Sequence, residues 1–339
     1  MESLCDELKL EILRYTKTPI LLIILNRNWY STSQDPNARA EWLMYKYGRA
    51  HALFHAVRLG KSFITDNVAQ SLIARGAIIS RYFIQRLVMQ FGIQDPKLDE
   101  MKVRYNSNVD NITPDCSWAA SLPLSVFIKF MTEALHQLNG DISIKENDME
   151  LFQSLTAINL PINQASQIFF KNLSEIKDFI LNHKFIPFPP RPKILPIAEQ
   201  YHYPSWDGYE NNKHIHLLSR AVLIYPDIVK CWKQIGYHEV CRDLNDIVIK
   251  GMFMMLFPMT PPANWVRPTP EFLAEKLKEL IDIGFELNDD VIKSSIKIFK
   301  PKFDVMGETM IDSFVIIRGE HATEIAISAL NEIAETKEY

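Results

Sequence analysis

Apolar residues recur along most of this chain at intervals of three and four, which is the period of an α-helix. The runs FIKFMTEAL, within residues 124–138, and EFLAEKLKELIDIG, within residues 271–284, show the pattern most clearly. Such spacing places the apolar side chains on one face of a helix. The pattern predicts an all-α protein in which short helices are joined by glycine, proline and polar breaks.

The first helical pattern lies at the start of the chain. Leu4, Leu8 and Ile12 recur at helical spacing, and Leu13 widens the apolar stripe. Ser3 is followed three residues later by an acidic residue, which predicts a capping box at the start of this helix.

A second apolar run extends from Ile20 to Leu25 and is followed by Trp29. The run is much shorter than the roughly 20 residues that a membrane span needs. Asp35 and Pro36 predict a turn, and Asn37 is predicted to cap a third helix. Three short helices of about 45 residues form only a marginal core. Part of their apolar surface is therefore expected to pack on the following helices or on another protein.

The pattern of these first residues resembles the F-box, the short helical module that docks F-box proteins onto Skp1 in cullin–RING ubiquitin ligases. The family pattern has Leu-Pro-x-Glu-Leu followed by Ile-Leu, then a leucine-rich helix, then Asn/Cys-Arg/Lys-x-Trp. Cys5 departs from it, because the family usually has proline there, and the link through Lys17 is shorter than usual. The matching positions are Leu4, Glu7, Leu8, Ile12, Leu13, Leu21, Leu22, Leu25, Asn26, Arg27 and Trp29, with Arg39, Trp42 and Leu43 in the tail.

The resemblance implies that these residues form a three-helix head whose apolar side chains bind a Skp1-like adaptor. The residues expected to contact that partner are Leu4, Leu8, Ile12, Leu13, Leu22, Leu25 and Trp29. The alternative is that the same residues form a purely structural N-terminal cap on the rest of the chain.

Residues 49–91 predict three further helices. The first ends at Gly60, the second begins after Thr65 and ends at Gly76, and the third begins after Ser80. The first two helices resemble an ankyrin unit in their order of apolar residues and glycine, although the β-hairpin finger of ankyrin repeats is missing. The resemblance therefore concerns the stacking of helix pairs.

One order of signals occurs twice: a helix end, a glycine, an apolar residue, a polar N-cap and a new helix. The glycines are Gly76 and Gly284, and the N-caps are Ser80 and Asn288. Irregular spacing predicts a decayed solenoid of stacked helix pairs, although any helix–turn–helix gives a similar pattern. Weaker copies run from Leu155 to Asn163, from Ile180 to Pro187 and from Trp232 to Val240.

Closely spaced prolines and aromatic residues interrupt the helical pattern over residues 185–212. They favour extended polyproline II, either as an inter-domain strap or as a ligand for an SH3-like domain. We place the main boundary at this strap. The predicted segments are an F-box-like head at 1–47, a first helical block at 48–184, the strap at 185–212 and a second helical block at 213–339.

Composition narrows the class of protein. The chain is 47% hydrophobic and 23% charged, as in soluble globular proteins, and only 11 glycines favour helices over a β-sandwich. The net charge of −4 provides no electrostatic footprint for nucleic acid. The start of the chain lacks a secretory signal, and the four cysteines show no paired spacing. These features predict reduced thiols, no disulfide and a cytoplasmic or nuclear protein.

Motifs of catalysis are missing from the sequence, which has no phosphate-binding glycine loop, no Gly-x-Ser-x-Gly and no His-Glu-x-x-His. His202, His214 and His216 lie close enough in sequence to bind a metal with Cys231 or Cys241. No ligand spacing fixes such a site, and we interpret these histidines as solvated. We therefore predict no catalytic, cofactor-binding or metal-binding residues and no enzyme.

The leading function is the one that the F-box resemblance implies, a substrate-receptor subunit of a Skp1–cullin–F-box ubiquitin ligase. The head would bind the adaptor and the helical body would bind a target protein, with no catalytic residues because ubiquitin transfer occurs on other subunits. Neither a nucleic acid nor a membrane is expected as a partner. Two alternatives stay open: a helical-repeat scaffold with no ligase link, and an enzyme on an unrecognised helical fold.

Overall fold

The fold is given by a computed structural model, and every regular element in its described residues is a helix. The prediction of an all-α protein is confirmed for this part of the chain. The structure describes residues 4–16, 22, 24–91, 119, 122–140, 142, 148–156, 166–187, 217–256, 267–299 and 305–335.

Two compact units divide the chain, and the first comprises Met1–Met149, Leu181–Asn212 and Ile235–Tyr237. The helices that belong wholly to it are α1 (Asp6–Tyr15), α2 (Arg27–Gln34), α3 (Pro36–Arg58), α4 (Asp66–Ala74), α5 (Arg81–Gln90) and α6 (Leu124–Gln137). Three more helices contribute residues to both units: α7 (Asp148–Thr156), α8 (Ser166–His183) and a later helix, Ile228–Ile235, whose last residue lies in the first unit.

The second unit comprises Glu150–Ile180, Lys213–Gln234 and His238–Tyr339. The first helix that lies wholly in this unit is α9, over residues 217–224. The following helices are α10 (Ile228–Ile235), α11 (Glu239–Arg242), α12 (Leu244–Leu256), α13 (Pro270–Ile281), α14 (Asp289–Phe299), α15 (Val305–Arg318) and α16 (His321–Glu335).

Helices of the second unit pack in alternation. Helix α13 contacts α15, α14 contacts α16, and α12 contacts α14. Corresponding members of two successive helix pairs, α13–α14 and α15–α16, therefore lie side by side. This arrangement is typical of stacked helical repeats, in which each pair covers the apolar face of its neighbour.

The two strongest copies of the repeated signal adopt the same backbone geometry. Gly76 and Gly284 have φ values of 78° and 118°, a region that side chains other than glycine rarely enter. In both copies the residue after the glycine donates its N–H to the carbonyl five residues earlier, at 3.0 Å. These bonds form a Schellman-type C-cap, so the predicted role of the two glycines is confirmed.

The N-caps that follow these glycines are also equivalent. The side chains of Ser80 and Asn288 each accept a hydrogen bond, at 3.0 Å, from the backbone N–H three residues later. A buried Ile79 precedes the first cap and a buried Leu287 precedes the second. The repeated sequence order therefore corresponds to one repeated helix junction. In the weaker copies, Lys184 and Gly236 have positive φ, and residues 157–163 lie outside the described residues.

One further predicted N-cap is confirmed and two are corrected. Thr65 accepts the cap hydrogen bond of α4, and Thr269 has the same role for α13. Asp35, not Asn37, caps α3, because its carboxylate accepts two backbone N–H groups while Pro36 occupies the first helical turn. Cys5 occupies the N-cap of α1 without a side-chain bond, so the predicted capping box does not begin this helix.

The two contact units differ from the four predicted segments. Residues 1–47 cluster with the helices that follow them, and residues 150–180 cluster with the C-terminal helices. The reason is that contacts between distant parts of the chain define a unit, and these contacts have no signature in local composition. Phe185 and Ile186, at the start of the predicted strap, are buried, while residues 188–212 lie outside the described residues.

We predict that Gly251→Ala destabilises the second unit. A Cβ at this position of α12 would lie 2.4 Å from the backbone carbonyl oxygen of Ser219 on α9. The backbone carbonyl of Ser219 cannot rotate away as a side chain could, so α9 and α12 would have to move apart. The cost should be about 1–3 kcal/mol, even though alanine is the better helix former. Denaturant unfolding measures it, with Lys250→Ala on the same helix as the control. A more stable Gly251→Ala protein would contradict the close packing.

Candidate functional site

The head is formed by α1, α2 and the first part of α3, and each of these helices contacts the other two. Gly48, with φ 69° and ψ 175°, breaks α3 into two segments. The break occurs one residue after the predicted end of the F-box-like head at residue 47. The helix that closes the head is therefore separated by a bend from the segment that continues into the body.

Two tryptophans anchor the interior of the head. The Trp42 indole Nε1 donates a hydrogen bond of 2.9 Å to the carbonyl oxygen of Thr16, at the end of α1. Trp29 is fully buried, and the Asn26 side chain caps its helix by accepting the Trp29 backbone N–H at 3.0 Å. The Lys46 ammonium lies 4.6 Å from the centre of a Trp42 ring, a cation–π contact.

Arg39 ties the head to the loop that follows α3. Its buried guanidinium donates to the carbonyl oxygens of Ser33 at 2.7 Å and Phe63 at 2.8 Å, and also to the Gln34 side chain. Burial lowers the pKa of Arg39 from its ordinary value. Hydrogen-bond acceptors on three sides make this a structural cation.

Three of the seven residues predicted to bind a partner lie on the surface of the head. Leu8 is 51% exposed, Ile12 is 39% exposed and Leu25 is 54% exposed. Leu4 and Leu22 are partly exposed. Large aliphatic side chains gain roughly 1.5–3 kcal/mol each when they are fully removed from water. This surface therefore favours contact with a second apolar surface.

The remaining two predicted residues, Leu13 and Trp29, are buried inside the chain. They cannot contact a partner without opening the head, so we remove them from the docking surface. The sequence pattern identified both residues as apolar, but it did not show that their side chains face the inside of the head. Their place in the F-box-like pattern reflects the packing of the head itself.

The structure adds residues to this surface that the sequence did not single out as partner-binding. Tyr15 follows Leu8 and Ile12 on α1, and its ring contacts the ring of Tyr45 on α3, edge to face, with centroids 4.8 Å apart. Both tyrosines are about half exposed. We call Leu8, Ile12, Tyr15 and Tyr45 the α1 stripe. Tyr45 had no detectable signal in the sequence, since only the packing of α1 on α3 brings it there.

The charged side chains at the edge of the α1 stripe form ion pairs, and the Tyr15 ring within the stripe is neutral. Lys9 contacts Asp6 at 2.8 Å, and Arg14 contacts Glu11 at 3.6 Å. A hydrogen bond to Glu11 raises the pKa of Tyr15, so this ring stays neutral at physiological pH. Exposed ion pairs contribute little to stability. The Arg14 guanidinium also lies over the rings of Tyr15 and Tyr45, 5.5 Å and 5.1 Å from their centres, so this charge contacts the stripe itself through cation–π interactions.

A second notable cluster in the first unit is a buried ion pair between α5 and the start of α7. The Arg81 guanidinium donates to both carboxylate oxygens of Asp148, with the shortest distance 2.7 Å. Gln85 adds a reciprocal pair, because its amide donates to the Asp148 carboxylate and its carbonyl accepts the Asp148 backbone N–H. Arg81 also lies 3.4 Å from Nε2 of His183, which must accept because a guanidinium only donates.

The contacts of this ion pair indicate a structural role. The Asp148 carboxylate accepts from both Arg81 and Gln85, and both members of the ion pair are almost completely buried. A buried carboxylate that is paired in this way favours a structural role over acid–base catalysis. The sequence contained no sign of it, because 67 residues separate the partners.

We predict that Asp148→Ala destabilises the first unit by about 3–5 kcal/mol, because it leaves a buried guanidinium uncompensated. The double variant Arg81→Met/Asp148→Leu should recover part of this loss, since it removes both charges. Denaturant unfolding of the two variants tests the interpretation. Equal stability of wild type and Asp148→Ala would show that the pair is dispensable.

A buried histidine follows the bend in α3. His55 stacks on the ring of Tyr47, with centroids 3.6 Å apart, and its Nδ1 has no hydrogen-bond partner among the described residues. Burial lowers the pKa of His55 well below 6.5, and the nearby basic side chains of Arg58, His51 and Lys46 lower it further. The imidazole is therefore neutral in the folded protein at neutral pH.

The His55 environment predicts a loss of stability in mild acid. Below pH 6.5 the unfolded chain binds a proton at this position and the folded chain does not. Stability should therefore fall as the pH decreases, by up to about 1.4 kcal/mol per pH unit from this group. His55→Phe keeps a ring against Tyr47 and cannot titrate. Melting curves from pH 7 to pH 5 should show a weaker pH dependence for this variant, and parallel curves would contradict the assignment.

Metal-binding and reactive thiol sites find no support among the described residues. No group of three or more His, Cys, Asp or Glu side chains there is placed to hold a metal. Cys5, Cys231 and Cys241 are free thiols, and burial raises the pKa of the last two. A raised pKa disfavours the reactive thiolate. The histidines at 202, 214 and 216 lie outside the described residues.

None of the described helices combines the length and the apolar character needed to cross a membrane. In comparisons with known proteins, no family model, curated protein or solved structure matches this chain. The exposed α1 stripe and the contacts within the head are therefore the observations on which a function can be based.

Proposed function

We propose that this protein is a substrate-receptor subunit of a Skp1–cullin–F-box ubiquitin ligase. Its head binds a Skp1-like adaptor and its helical body binds a target protein. The proposal rests on the F-box-like pattern of the first residues together with one structural observation. Leu8, Ile12 and Leu25, which the pattern assigns to the adaptor contact, expose large apolar side chains.

Exposure of this kind supports a docking role over a structural cap. A cap would direct its apolar face toward its own chain, as Leu13 and Trp29 do. Leu8, Ile12 and Tyr15 instead follow one another at intervals of four and three along the outer side of α1. Clustered apolar side chains on a surface are typical of protein interfaces.

The division of labour within the head also supports the proposal. Arg39 joins α2 to α3 and Trp42 joins the end of α1 to α3 through hydrogen bonds, while Asn26 caps α2. A rigid support of this kind keeps the α1 stripe in place before binding, which reduces the ordering cost of association. The protein itself supplies no catalytic group in this role and acts in the cytoplasm or the nucleus.

Leu8→Arg should abolish adaptor binding and leave the fold intact. The arginine would place an unpaired charge within the contact, which costs several kcal/mol of binding. Because Leu8 is half exposed, the melting temperature should change by no more than about 2 °C. Calorimetric titration of the full chain with Skp1 and a thermal melt measure the two effects.

Ile327→Arg is the matched control, since Ile327 on α16 is as exposed as Leu8 but lies outside the head. It should bind Skp1 like the wild type. Wild-type protein that does not bind Skp1 at micromolar concentration would end the ligase proposal. A melting temperature that falls in Leu8→Arg, with binding retained, would favour the structural cap.

A second candidate is a helical-repeat scaffold without a ligase link. The alternation of α13–α14 with α15–α16 favours it, since stacked helix pairs commonly present protein-binding surfaces. This candidate shares the target-binding body but predicts no affinity for Skp1. The titration described above therefore separates the two.

A further inference from the structure

Helix α6 carries an apolar face that the described residues of its own unit leave exposed. Val126, Phe130 and Ala134 are fully buried and form the side that packs on α4 and α5. On the other side, Leu124 is 59% exposed, Ile128 is 53% exposed and Leu135 is 50% exposed. A single amphipathic helix needs only one apolar face, so the second requires its own explanation.

The exposed face is narrow and regular. Leu124, Ile128, Met131 and Leu135 follow at intervals of four, three and four residues, and Met131 is partly exposed. At about 100° per residue the four side chains fall within an arc of about 60°, over a length of about 16 Å. We call these four residues the α6 stripe. Its intervals are those of the contact positions of a coiled coil.

The intervals also read the same in both directions. When a second α6 runs antiparallel, Leu124 of each copy meets Leu135 of the other, and Ile128 meets Met131. All four layers close around one two-fold axis between residues 129 and 130. Self-complementarity of this kind is the requirement of an isologous two-fold interface, in which residue i contacts j and j contacts i.

The uncharged residues that flank the α6 stripe permit this pairing. Ser125 and Thr132 flank one side and are exposed and uncharged. Phe127 flanks the other side and stacks on Phe91, with centroids 4.1 Å apart. The charged residues of α6 are turned elsewhere: Lys129 donates to Gln70 at 3.0 Å, and Glu133 accepts from Gln137 at 2.8 Å. These two charged side chains of α6 would therefore not meet their own copies across the two-fold axis.

We propose that the α6 stripe binds a second copy of this chain, giving an antiparallel two-fold dimer. The occupant is a copy of α6 itself because the repeat of the stripe matches its own reverse. One helix pair buries less than a standard interface of about 1,600 Å², so the dimer is expected to dissociate in the micromolar range. The dimer does not depend on the ligase proposal, since the α6 stripe and the α1 stripe are different surfaces.

Sedimentation equilibrium of the full chain from about 1 to 100 µM tests the proposal, with a reversible monomer–dimer equilibrium as the expected result. Ile128→Lys removes the central layer and should weaken association at least about tenfold, with the melting temperature of the monomer preserved. Ile327→Lys, an equally exposed isoleucine on α16, is the control and should leave association unchanged. A monomer throughout this range, or a dimer that Ile128→Lys leaves intact, would overturn the proposal.

A pair of charge variants tests the orientation. In the antiparallel dimer Ser125 of one copy lies beside Thr132 of the other, so Ser125→Glu/Thr132→Lys creates two attractive pairs and should tighten association. Ser125→Lys/Thr132→Lys creates only repulsion and should weaken it. A parallel pairing would instead place Thr132 beside Phe127 of the other copy, so neither variant would form an attractive pair. Association of Ser125→Glu/Thr132→Lys that is no tighter than that of the wild type would therefore reject the antiparallel arrangement.

Discussion

Every described element of this protein is a helix, and a helix is stable in a small unit only when its apolar face is covered. Most helices here meet this constraint by packing on another helix of the same unit, as α13 does on α15 and α14 on α16. The repeated junction at Gly76 and Gly284 makes such packing possible. It ends one helix, satisfies its last carbonyls and starts the next helix within a few residues.

Buried polar groups in the first unit also hold the helices in the arrangement that covers their apolar faces. Arg39 and the Arg81–Asp148 pair join parts of the chain that no local pattern would bring together, and each is buried with its hydrogen bonds made. Buried ion pairs add little net stability, but an arrangement that lacks one partner is heavily penalised. These groups therefore select one packing of the helices over others of similar apolar content.

The parts of the structure that the sequence predicted are those controlled by nearby residues. The all-α class, the caps at Thr65, Ser80 and Asn288, and the glycine ends at residues 76 and 284 all depend on a few consecutive side chains. The division into units and the Arg81–Asp148 pair depend on contacts across many residues, which periodicity cannot detect. For the same reason the sequence placed Leu13 and Trp29 on the docking surface, since it identifies an apolar stripe without showing which edge the neighbouring helix covers.

Two helices of the first unit, α1 and α6, leave large apolar side chains in solvent, and the spacing of each stripe indicates a different kind of partner. On α1, Leu4 precedes the residues of the α1 stripe, and Leu4, Leu8, Ile12 and Tyr15 follow at intervals of four, four and three, an order that does not match its reverse. An antiparallel copy of α1 would therefore leave these layers out of register. The α6 stripe, at four, three and four, has no such mismatch. This difference agrees with the two proposals, a different protein at the α1 stripe and a second copy of the chain at the α6 stripe.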